Sequence, residues 1–279
     1  MDSLVSTEWL AAELGAEDLM ILDATTFLPG SGRDAREEYA VHIPGAMFFD
    51  IEEVSDPDSP FPHSWPLSTL FASRMRALGL ENHDRIVIYD NSPIHTSARA
   101  WWMLKNFGAH NVAILDGGLA KWVAEKRPMA VGEPAHRSGH FMPLPVRDTL
   151  LDKAAMLALV GADSHAIADA RPVRRFRAED PEPRPGLAAG HIPGSRSLPQ
   201  SAFFHNDNTF KTGTELRALF DEAGVDLTKP LVATCGSGVT ACVILFGAYL
   251  LGKTDLSLYD GSWSDWGADP ATPKAQGPA

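Results

Sequence analysis

A chain of 279 residues with 44% hydrophobic content is long enough for two moderate domains, each with a buried core. Its net charge of −12 at pH 7 and the lack of any run of Lys or Arg set it apart from proteins that grip a phosphate backbone, so no nucleic-acid partner is expected. The longest apolar stretch, ACVILFGAYLLG, is too short to span a bilayer. The N-terminal MDSLVSTEWLAAEL also has neither a basic n-region nor a small-residue cleavage site, so a cytoplasmic protein without a membrane partner is expected.

Taken in order, the chain alternates short strand-like runs with helix-period patterns. ILDA, the helical LSTLFASRMRALG, IVIYD and AILD come first. After the aperiodic, Pro-, Gly- and His-rich segment 131–148 come IADA, the helical TELRALFDEAG, LVAT, the apolar helix ACVILFGAYLL and LSLYD. Runs of this kind predict βα units on a parallel sheet, an α/β fold.

The two series are copies of one another. HIPGA at His42 is echoed by HIPGS at His191, an offset of 149. ILDAT echoes in IADAR, IVIYD in LVATC and LDGGLAKW in YDGSWSDW, with offsets of 146, 145 and 144. Four matches in the same order over so long a period indicate a duplicated domain rather than a solenoid unit. The expected layout is a first domain over 1–135, a linker over 136–148 and a second domain over 149–279, each a parallel sheet flanked by helices.

The changes in offset locate the excursions. From His42 to Asp90 is 48 residues, but from His191 to Cys235 only 44, so the first copy has a surplus around SDPDSPFPHSWP. From Asp23 to His42 is 19, but from Asp169 to His191 is 22, which places the second copy's surplus in RPVRRFRAEDPEPRPG. Loops that outgrow their duplicate are candidates for function.

Only two cysteines occur, Cys235 and Cys242, too few for a disulfide framework and without metal-ligand spacing, so neither a metal nor a cofactor is expected. LVAT ends at Cys235 and the helix resumes at Ala241, which makes CGSGVT a strand-to-helix turn that presents a thiol. Gly236 and Gly238 let the backbone curl, and the amides of Gly236, Ser237, Gly238, Val239 and Thr240 then converge beside a helix N-terminus. That cradle favours an anion such as a thiolate. A free cysteine is also a common core residue; the glycine cradle is what distinguishes Cys235. Cys242, on the apolar helix, is expected only to pack. The first copy has Asp90 at the equivalent point, followed by NSPIHTSAR, so only the second copy is expected to be catalytic.

The paired HIPG segments, the DGG and DGS strand ends and CGSGVTA together resemble the two-domain rhodanese (sulfurtransferase) family over nearly the whole chain. Within that family CGSGVT resembles the loop of members that take sulfur from 3-mercaptopyruvate. Members that use thiosulfate usually carry an Arg and a Lys where this chain has Gly236 and Ser237. The resemblance implies a Cys235 persulfide, with sulfur passed to a thiol such as thioredoxin, to a small dithiol or to cyanide. It implies Arg175 and Arg184 as carboxylate binders, distant from the cradle, in a stretch that could otherwise be a solvated charge run. It also implies a relay of Ser237, His63 and Glu52, although the residues flanking His63 depart from the family's usual pattern and a surface histidine is often inert. The alternatives are a thiosulfate sulfurtransferase or a regulatory binding module. A phosphatase of the same fold would need an Arg closing a C-x5-R loop, where this chain has Ala241.

Overall fold

The computed structural model describes residues 1–28, 30–145 and 149–278. It divides into two compact units, the first comprising Met1–Pro57, Pro66–Val146 and Phe204–Phe210, the second Asp58–Trp65, Arg147–Phe203 and Lys211–Ala279. Most of each unit is one copy of the repeat, but each also holds a short segment from the other half of the chain.

Each unit is built on a five-stranded sheet whose strand pairs are all parallel. In the first unit the strands run in the order Leu4–Val5, Asn111–Leu115, Arg85–Tyr89, Leu19–Asp23, Ala46–Phe48. The second unit repeats that order with Leu150–Leu151, Leu256–Tyr259, Leu231–Thr234, Ala166–Asp169, Arg196–Ser197. The central strands are continuous apolar runs because helices cover a parallel sheet on both faces. Val87 and Ile88 in the first unit, like Val232 and Ala233 in the second, have no exposed surface.

The expected helices form where the periodicity places them, at Ser68–Ala77, Gly213–Glu222 and Ala241–Leu250. No helix among the described residues is long and apolar enough to cross a membrane. The last of the three is instead buried from Ala241 to Ala248 against the second sheet.

The repeated motifs do structural work. His42 Nδ1 lies 2.9 Å from the Tyr39 carbonyl and its ring stacks on Tyr39. His191 does the same with the Phe176 carbonyl at 2.9 Å and the Phe176 ring. Trp122 and Trp266, which close the two DG segments, donate their indole N–H to Pro128 and Pro273 carbonyls, both at 2.8 Å.

Of the expected linker 136–148, residues 146–148 lie outside the described residues. The part before them is stitched onto the first unit. Arg137 pairs with Asp84, the His140 amide donates to the Leu80 carbonyl at 3.0 Å, and Phe141 is fully buried against Phe71.

Candidate active site

Cys235 follows the buried strand Leu231–Thr234 and opens the turn that leads into Ala241–Leu250. The sequence suggests a presented thiol, but Cys235 is only 2% exposed. The reason is the DGSWS segment, which folds back over the turn. The Cys235 amide donates to Ser262 Oγ at 3.2 Å and its carbonyl accepts from the Trp263 amide at 2.9 Å. The Gly236 carbonyl accepts from both the amide and the hydroxyl of Ser264, at 3.0 and 2.6 Å.

The turn itself is a set of uncommitted donors. Among the described residues, the amides of Gly236, Ser237, Val239 and Thr240 donate to no protein acceptor. Gly238 has φ +78°, the left-handed region that a side chain would strain. Unspent amides at the head of a helix are what an anion needs. Cys242 is fully buried with its thiol 3.3 Å from the Gly238 carbonyl, so it packs against the turn from behind.

Arg175 and Arg184 converge on the turn. A methyl group placed on Gly236 would lie 3.7 Å from Arg175 Nη2 and 3.8 Å from Arg184 Nη1. The arginines are therefore beside the cradle, not distant from it as the sequence reading has them. Arg184 Nη1 donates to Ser264 Oγ at 3.2 Å. Arg175, on the short helix Val173–Phe176, is ion-paired with Glu182, and its buried Nε has no hydrogen-bond partner. Two planar forks in an otherwise acidic protein make a local site for a carboxylate.

Arg171, which the sequence places in a charge run without a role, is 1% exposed. It is bound to Asp169 and Glu182 and lies over the Trp263 ring at 4.2 Å. Burial opposes its charge, but the Asp169 and Glu182 carboxylates and the Cys235 sulfur outweigh that and raise its pKa. Glu182 thus holds Arg171 and Arg175 together. The first copy has the uncharged Thr25 at this position: its amide and hydroxyl donate to Asp23 Oδ1 at 2.9 and 2.5 Å, and its hydroxyl accepts from the Asn91 amide at 3.0 Å.

His63 belongs to the same unit as Cys235, because Asp58–Trp65 clusters with the second half of the chain. Its Nδ1 lies 2.8 Å from Ser237 Oγ, and both residues are 7% exposed. Glu52 lies in the first unit, exposed on the helix Ile51–Val54. Among the described residues no group of three or more His, Cys, Asp or Glu could hold a metal ion.

The Asp90 turn is arranged differently. Asp90 Oδ1 accepts from the Ser92 amide at 3.0 Å and Oδ2 from the Ser97 amide at 2.8 Å, so a carboxylate of the chain fills its own cradle. A cavity of about 240 Å³ adjoins it, lined by Asp90, Asp116, His95 and Phe204 among others. Burial lowers the pKa of His95, against the nearby Asp90 charge, which raises it.

The rhodanese-like domain family matches this chain twice, at residues 6–125 and 152–269. The chain is 43% identical over 277 residues to a 3-mercaptopyruvate sulfurtransferase of Homo sapiens, covering 95% of this chain and 91% of the relative. It is 39% identical over 285 residues to a thiosulfate sulfurtransferase of Cricetulus griseus, covering 99% and 96%. The crystal structure of SseA from Escherichia coli, described with the rhodanese fold and the mechanism of 3-mercaptopyruvate sulfotransferases, superposes with a TM-score of 0.86 at 37% identity, over 94% of this chain and 99% of that one. The duplicated sequence, the duplicated sheet order and these matches together make the chain a member of the rhodanese family, with two tandem rhodanese-like domains.

Proposed function

We propose that this protein is a 3-mercaptopyruvate sulfurtransferase working through a Cys235 persulfide. The observation that carries this reading is the convergence of Arg175 and Arg184 on Gly236, directly after Cys235. Two guanidinium forks suit a donor that carries a carboxylate a few bonds from its transferable sulfur.

The Cys235 thiolate attacks the donor sulfur. A sulfur–sulfur bond forms, the carbon–sulfur bond breaks, and its electron pair leaves on carbon as the enolate of pyruvate. Protonation of that carbon releases pyruvate. Ser237 and His63, in hydrogen-bond contact, are the proton-handling pair. The uncommitted amides of the turn hold the persulfide anion. An acceptor thiolate, from thioredoxin or a small dithiol, then attacks the outer sulfur and regenerates the Cys235 thiolate; cyanide leaves as thiocyanate.

Thiosulfate is the second reading, favoured by the nearness of the two arginines to the turn and by the Cricetulus griseus relative. Gly236 and Ser237 put no cation in the turn itself, so thiosulfate is the weaker donor. The test is intact mass after each donor together with the ratio of kcat/KM values. One added sulfur, removable by cyanide, and a ratio favouring 3-mercaptopyruvate are expected. A preference for thiosulfate overturns the donor assignment, and uptake of sulfur by Cys235→Ser overturns the site.

A further inference from the structure

The two DG segments repeat one contact to a segment from the other half of the chain. In the first unit, Asp116 Oδ1 accepts from the Phe210 amide at 2.7 Å. In the second, Asp260 Oδ2 accepts from the Trp65 amide, also at 2.7 Å. These aspartates are equivalent residues of LDGG and YDGS, 144 positions apart. In each case the donor belongs to a short arm contributed by the other half of the chain.

Each arm is closed on itself. Phe204 and Phe210 form an isolated bridge with the His205 amide donating to the Thr209 carbonyl at 2.9 Å. In the other arm Ser59 Oγ and Ser64 Oγ are 2.7 Å apart, and Ser64 Oγ donates to the Phe61 carbonyl at 2.9 Å. Each arm also lays one ring on the turn of its host unit. Phe204 stacks on His95 with centroids 3.4 Å apart, and His63 reaches Ser237 at 2.8 Å.

His63 sits two residues before the Trp65 anchor and has φ +59°, a left-handed conformation that a non-glycine residue holds only when its surroundings enforce it. We infer that Asp260 is a positioning residue for the sulfur-transfer step: through the Trp65 amide it fixes the arm that brings His63 to Ser237. This rests on the proposed function of the Cys235 site. In this role Asp260 acts through the arm: it sets where the imidazole stands.

The experiment compares Asp260→Ala, Asp260→Asn and Asp116→Ala in the full-length protein with 3-mercaptopyruvate and a dithiol acceptor. Asp260→Ala lowers kcat roughly tenfold to hundredfold, as expected when a catalytic group is misplaced by about 1 Å, while KM stays within about twofold. Asp260→Asn, which keeps an oxygen acceptor for the amide, recovers most of the loss. Asp116→Ala, acting on the arm of the unit that lacks the thiol, leaves kcat near that of the unaltered protein. Should Asp260→Ala fail to fold, Asp260→Ser, too short to reach the amide, takes its place. Wild-type kcat in the Ala or Ser variant overturns the proposal, as does an equal loss in all the variants or a change in KM alone. If the unaltered protein takes no sulfur from 3-mercaptopyruvate, the functional reading falls, but the positioning role is still decided by ¹⁵N-histidine NMR. The His63 Nδ1 resonance, assigned with His63→Gln, moves in Asp260→Ala and returns in Asp260→Asn if the role holds. An unmoved resonance overturns it.

Discussion

The turn after Cys235 and the turn after Asp90 stand at equivalent places, each following a central parallel strand and opening a buried helix. Both must find acceptors for the amides exposed at a helix start. In the first unit the chain supplies one, since the Asp90 carboxylate takes the Ser92 and Ser97 amides. In the second unit a thiol stands there instead, and four amides of the turn have no protein acceptor among the described residues. A duplicated scaffold thus separates two demands: one turn is filled by its own carboxylate, and the other is left with donors that suit the reactivity proposed for Cys235.

The largest effect that would test this contrast is at the thiol. Cys235→Ser should lower turnover by at least about a thousandfold, since a lost nucleophile removes the covalent route altogether. Intact mass should show no sulfur gained, and a gain would break the comparison. Next, Ser237→Ala and His63→Gln should each reduce kcat by about a hundredfold, at the lower end of what proton handling contributes. Rapid-quench kinetics with unaltered sulfur uptake in both would mean that their hydrogen bond is only structural.

Arg175→Ala and Arg184→Ala should each raise KM for 3-mercaptopyruvate roughly tenfold or more, because losing a charge-assisted hydrogen bond costs on the order of 1.5–3 kcal/mol. Steady-state kinetics in which both variants match the parent would remove them from the site. In the first unit the effect should be on stability. Asp90→Ala should keep turnover and lose on the order of 1–3 kcal/mol in urea unfolding, as two amides lose their acceptor. Lost turnover in a folded Asp90→Ala protein would make the first turn a partner in catalysis. Cys242→Ala should change turnover least of all, and a marked loss in the same assay would point to the wrong cysteine.

Much of this contrast was readable before any coordinates, because duplication prints its own alignment: HIPG, the strand ends and the DG segments fix which residues correspond. The α/β class followed from runs such as LVAT and IVIYD, whose burial leaves no polar face. Two things were hidden. Arg171 reads as one charge in RPVRRFRAEDPEPRPG, because nothing local reveals that Asp169 and Glu182 bury it between them. The arms were hidden too, since SPFPHSWP adjoins the first copy in sequence yet belongs with the second unit, and its anchor Asp260 is 195 residues away from Trp65. Local pattern carries no information about an acceptor so far along the chain, and the covered state of Cys235 depends on the equally remote Ser262 and Trp263.

The exchange of arms bears on inheritance. The first half, which has Asp90 where the second has Cys235, carries residues 58–65 of the second unit and with them His63. Deleting the first half would strip the second unit of His63, and deleting the second half would uncover His95 in the first. Each half lends a segment to its twin, so neither half alone encodes a whole unit, and the two are bound together by what each lends.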